Sequence, residues 1–88
     1  MKIKSNFILK EMDDMNIVVA VGDRAKSFNG VITLNSTATF MWKKLEEGIS
    51  REDLALALTE EYSVDLAKAK EDVEKYIDTL LKEDIIDE

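Results

Sequence analysis

The sequence predicts an α+β fold in which three strands form an antiparallel meander and three helices follow. Two observations carry that prediction. The first 34 residues hold short runs rich in β-branched and aromatic types, whereas the apolar residues after them recur at steps of three and four. A third is supportive: the chain contains no proline, so nothing excludes a strand or breaks a helix on that ground. Eighty-eight residues fit a single domain, residues 1–88, with one core.

The elements follow in order. Residues 6–12, "NFILKEM", and 16–22, "NIVVAVG", are separated by a short linker containing Asp13 and Asp14, which reads as a β-hairpin. A polar, turn-like "DRAKSFN" comes next, and Gly30 opens the third strand, "GVITL". In the first helix Ala38, Met41, Trp42 and Leu45 share a face, with Ser36 placed as N-cap and Gly48 just past the end. Ser50, with Asp53 three residues on, resembles a capping box and starts a second helix whose apolar face is Leu54, Ala55, Leu58 and Tyr62. Asp65 is placed to cap the third and longest helix, with an apolar stripe from Leu66 through Ala69, Val73, Tyr76, Ile77, Leu80 and Leu81. On its outer face Glu71 precedes Lys75, and Asp78 precedes Lys82, in the favourable order for ion pairs. The closing Ile85 and Ile86 are expected to pack back on the core.

Composition narrows the function. With 45% hydrophobic and 35% charged residues in an interspersed pattern, the chain has the makeup of a folded globular domain. It has no cysteine and no histidine, so a disulfide framework, a thiolate nucleophile, an imidazole base and a zinc cluster of the usual kind are all excluded. Carboxylates abound, but those that can be located sit at helix-surface spacing beside lysines; no catalytic constellation accompanies them, so no enzymatic activity and no cofactor are expected. The longest apolar run, "NIVVAV", is far short of the roughly 20 residues that span a bilayer, which predicts a cytoplasmic protein with no membrane partner. Residues 1–30 carry five Lys or Arg against four Asp or Glu, and the remainder seven against fifteen. That acidic helical part repels phosphate backbones and argues against nucleic acid as a partner.

The most distinctive stretch is "LNSTATFMWKKLEEG", residues 34–48. A helix presenting Ala38, Met41, Trp42 and Leu45 on one side is explained by packing alone, at roughly 25 cal/mol per Å² of apolar area buried. The order of features is more telling. An apolar strand, "LNSTATFMW", "LEEG", a capped helix carrying "DLALALTEEYSVD", and "DVEKYIDTLLKEDII" together resemble the PqqD-like family. These are small peptide chaperones, also called RiPP recognition elements, first known from pyrroloquinoline quinone synthesis. The resemblance runs from Val18 to Ile86. Its anchor is "LNSTATFMW", close to the family's Leu-Asn-x-Thr-Ala-x-x-x-Trp pattern, with the tail L(x)₄II in support. The family usually has glycine just before its closing apolar pair, where this chain has Asp84.

The resemblance implies a winged helix-turn-helix with an N-terminal three-stranded sheet. It also implies a function. The leader of a ribosomally made precursor peptide would lie as an added strand along the third strand, in a groove shared with the third helix, and be presented to a modifying enzyme such as a radical SAM protein. The expected peptide-binding residues are Val31, Ile32, Thr33 and Leu34 on the strand and Asp72, Tyr76 and Thr79 on one flank of the helix. Lys70, Glu74 and Leu81 form the opposite flank. The strand suits this role, because "GVITL" is short, uncharged and without proline, so an exposed edge would offer unpaired N–H and C=O groups. Tyrosine suits it too, with an apolar body and a polar tip. The alternatives are a nucleic-acid-binding winged helix and a structural subunit of a larger assembly. For the former, the second helix holds one Arg against four acids and the third four Lys against five, a poor complement to DNA.

Overall fold

The computed structural model describes residues 1–12, 15–22 and 32–87. The linker residues Asp13 and Asp14, the segment "DRAKSFN" with Gly30, and the candidate site residue Val31 lie outside the described residues. Strands β1 (Lys2–Ile3), β2 (Phe7–Glu11), β3 (Asn16–Ala20) and β4 (Ile32–Leu34) precede helices α1 (Ser36–Glu47), α2 (Arg51–Tyr62) and α3 (Leu66–Lys82), and β5 (Ile86–Asp87) closes the chain. The predicted α+β fold is observed: β2, β3 and β4 form a three-stranded antiparallel sheet with β3 in the centre, followed by three helices.

Alternation sorts the sheet into two faces. Phe7, Val18 and Leu34 are buried against the helices, while Ile8 and Thr33 are exposed. Helix α1 lays Thr39, Met41, Trp42 and Leu45 into the core, α2 contributes Leu54, Ala55 and Leu58, and α3 contributes Ala69, Val73, Ile77 and Leu80. Two predicted stripe members lie outside: Leu66 and Tyr62 are exposed, each at the end of its helix, Tyr62 with its ring in edge contact with Phe40.

The cap of α1 differs from expectation. Asn35, not Ser36, is the N-cap: its Oδ1 accepts the Ala38 N–H at 2.8 Å, and its backbone is extended while Ser36 is already helical. Ser50 caps α2 as expected, accepting from the Asp53 N–H at 3.1 Å. Asp65 precedes α3 without a side-chain cap bond. On α3 the Glu71–Lys75 pair forms at 3.2 Å and a second pair joins Lys68 to Asp72 at 3.1 Å, whereas Asp78 and Lys82 are not paired with each other.

The C-terminus holds an element not foreseen. Asp84 takes a left-handed conformation, φ 57°, and its N–H donates to the Leu81 carbonyl while the Ile85 N–H donates to that of Leu80. This is a Schellman termination, with Ile85 packed beside Leu80 in the core. It reverses the chain so that β5 pairs with β1, Lys2 opposite Asp87 and Ile3 opposite Ile86. Ile85 and Ile86 are buried, as predicted, and the pairing to β1 ties the two chain ends together.

Candidate functional site

The hydrogen-bonding sense of the sheet fixes which backbone groups of β4 are available. In an antiparallel pair, narrow pairs that exchange both bonds alternate with wide ones. Val21 donates to the Asn6 carbonyl and Met12 to that of Met15, both at 2.9 Å, so odd-numbered residues of β3 turn their backbone groups toward β2. Asn16 and Val18 therefore face β4, where their partners are Leu34 and Ile32. Thr33, between these two, directs its N–H and C=O away from β3. That side of β4 is an edge with no further strand among the described residues. Ile32 and Leu34 instead spend their backbone groups inside the sheet and turn their side chains toward the helices.

The chain leaves β4 through Asn35 and enters α1 at once. A short polar relay holds this junction: Asn16 Nδ2 donates to Thr39 Oγ1 at 3.0 Å, and Thr39 Oγ1 donates to the Asn35 carbonyl at 2.9 Å. From the other side, Tyr76 of α3 donates its hydroxyl to the Ala38 carbonyl at 3.0 Å. The first turn of α1 is thereby pinned both to the sheet and to α3. Burial pushes the Tyr76 phenol well above the ordinary tyrosine range, because the phenolate would lose its water.

Between that turn and α3 lies a pocket of about 450 Å³, lined by Asn35, Thr37, Ala38, Met41, Asp72, Lys75, Tyr76 and Thr79. Asp72, Tyr76 and Thr79, grouped on one flank by the helical wheel, are brought together here. Ile32, Thr33 and Leu34 do not line the pocket; they lead into it through Asn35. The opposite flank faces elsewhere: Lys70 and Glu74 border a second pocket of about 260 Å³ with Arg51, Glu52 and Val73, and Leu81 is half-buried against the core. Sequence reasoning missed the contribution of α1, namely Asn35, Thr37, Ala38 and Met41. The only signal in "LNSTATFMW" was an asparagine before small residues, which marks a capped first turn.

Tyr76 is both packing and surface, since it is half-buried against the core and also lines the pocket. Trp42 is core alone, fully buried, with its indole N–H unpartnered among the described residues. Among the described residues, no group of His, Cys, Asp and Glu is arranged to hold a metal ion, and no helix is long and apolar enough to cross a membrane.

Two solved structures share this architecture. One, TbiB1 in complex with the TbiA(beta) leader peptide, aligns with a TM-score of 0.80 at 24% identity, covering 97% of this chain and 93% of its own. The other, lasso peptide synthetase B1 complexed with the leader peptide, aligns with a TM-score of 0.76 at 23% identity, covering 92% and 89%. At such identities the likeness is one of fold. No curated protein matches the sequence. The family model of coenzyme PQQ synthesis protein D (PqqD) matches residues 17–86, from β3 through the capped first turn of α1 to the buried pair after α3. By that match over most of its length, the chain belongs to the PqqD family.

Proposed function

We propose that this protein is a peptide-binding chaperone that takes up the leader of a ribosomally made precursor as an added strand on the outer edge of β4. The observation that carries the reading is the outward N–H and C=O of Thr33 on an edge with no further strand among the described residues, two residues before Asn35 of the pocket beside α3. An edge of this kind offers backbone hydrogen bonds to any extended segment, and side-chain pockets beside it add selectivity. Membership in the PqqD family supports the same reading, as do the two similar folds, each of which was solved with a leader peptide. On this reading Ile32, Thr33 and Leu34, with Val31 before them, form the docking edge, and Asp72, Tyr76 and Thr79 meet the side chains of the bound segment.

The bound leader is then presented to a modifying enzyme, a radical SAM protein in the form we favour. The chain itself is non-catalytic on this reading, having neither histidine nor cysteine to supply a base or a nucleophile.

Isotope-labelled protein titrated with a candidate precursor leader tests the proposal. Cross-strand contacts between the Thr33 amide and backbone protons of the peptide are expected, with affinity somewhere between micromolar and tens of nanomolar, as befits a small interface that must order a flexible segment. Binding without contacts at this edge would overturn it.

A further inference from the structure

We infer that the pocket beyond β4 selects a basic side chain in the docked segment, one with an aliphatic stem and a cationic head. This deepens the strand-addition reading above and rests on it. Chain direction makes the placement: β4 runs into Asn35, which borders the pocket, so a strand laid along Thr33 and continued in line passes over the pocket's mouth.

The pocket's chemistry is two-part. Ala38, Met41 and the ring of Tyr76 give an apolar wall against which methylenes can lie. Asp72 supplies the charge. Its Oδ1 is held by Lys68 at 3.1 Å, Oδ2 has no partner among the described residues, and its side chain keeps 37% of its surface exposed. Lys68, wholly on the surface, has its pKa raised by its hydrogen bond to Asp72 and by the charges of Asp72 and Glu71, a sign that the field here favours cations.

Among the described residues that line the pocket the one cation is Lys75, whose ammonium is engaged by Glu71 at 3.2 Å and whose side chain is 71% exposed. It is already neutralised on the solvent side. An acidic ligand would meet Asp72 and Glu71, in a chain of net charge −7. A purely apolar ligand would leave Oδ2 of Asp72 without a new partner. A lysine or arginine satisfies both halves of the pocket.

The probe is a set of synthetic host peptides of alternating threonine and valine, with a single position scanned as lysine, norleucine or glutamate. They are titrated into the labelled full-length protein at low salt. All three should perturb the Thr33 amide, and at the position that reaches the pocket lysine should bind about threefold to fivefold more tightly than norleucine, with glutamate weakest, as a partly exposed ion pair allows. Asp72→Asn should bring lysine and norleucine to within about twofold of each other, and added salt should erode the lysine preference in the parent protein. Perturbation of Thr33 with no lysine preference at any position, or a preference that survives Asp72→Asn, overturns this inference alone. If none of the peptides perturbs Thr33, strand addition falls and the selectivity with it.

Discussion

Three side chains illustrate how single positions are constrained. Trp42 is the largest fully buried side chain, and its only polar atom is unpartnered among the described residues, so it contributes bulk rather than recognition. Trp42→Ala should cost about 3–5 kcal/mol in chemical denaturation, with any loss of peptide binding following from unfolding. Asp84 stands in the left-handed region where the family usually carries glycine, and aspartate is among the few other residues that enter it readily. Asp84→Val should lose about 1–2 kcal/mol, mostly from backbone strain, because the ion pair to Lys4 at 2.5 Å is exposed and adds little. A variant as stable as the parent would count against the Schellman termination. Tyr76 has a phenol whose pKa is raised in the fold by burial. Its protonated form is the one the fold holds, so its contribution is complete below the unfolded pKa of about 10 and is lost as pH climbs past it. Stability measured against pH should fall above about pH 10, and Tyr76→Phe should flatten part of that decline.

Within β4 a single residue step separates folding from binding. Ile32 lies in a narrow pair with Val18, so Ile32→Pro removes an interior ladder bond and should destabilise the protein by about 3 kcal/mol or more. Thr33→Pro removes only an outward N–H and should leave the melting transition nearly unchanged while abolishing peptide binding. Thermal melts paired with a binding assay decide the matter, and two variants behaving alike would place the edge elsewhere. The parity could not be read from "GVITL", since period-two alternation has no origin until a strand is paired. It became fixed only through the hairpin bonds Val21 to Asn6 and Met12 to Met15, one strand away. The caps were more legible. Ser50 was identified correctly because its partner Asp53 lies three residues on, whereas Asn35 and Ser36 are both good caps in tandem, and only the backbone turn into α1 chooses between them.

Charge is a property of the molecule as a whole. The acids outnumber the bases by seven, and the imbalance lies in the part of the chain that forms the helices. A winged helix that reads DNA needs a helix free of competing acidic field; α2 carries one base against four acids, and α3 with its C-cap Glu83 carries four against five. No specific binding to duplex DNA at physiological salt is expected, and a sequence-dependent rise in anisotropy with labelled duplexes would reinstate the nucleic-acid reading. The closure of the fold is likewise collective: β1 and β5 have two residues each, too few to declare themselves as strands, and they pair only because the Schellman turn after α3 brings residues 86–87 beside residues 2–3.

What the sequence determined by itself was everything that repeats locally or follows from residue type. Helical period located α1, α2 and α3 and most of their buried faces, β-branched runs located the three strands of the larger sheet, and the missing cysteine and histidine excluded whole classes of chemistry. The stretch "LNSTATFMW" carried the family resemblance because it specifies a strand, a cap and a core helix in nine consecutive residues. Tertiary structure alone decided which flank of α3 borders the pocket, that the first turn of α1 forms its other wall, that Thr33 rather than its neighbours turns its backbone outward, and that the chain ends pair. The reason is common to all four. A helix or strand has a period but no fixed rotation about its own axis until it packs, and each of these features depends on the rotation or position of one element relative to another far away in sequence.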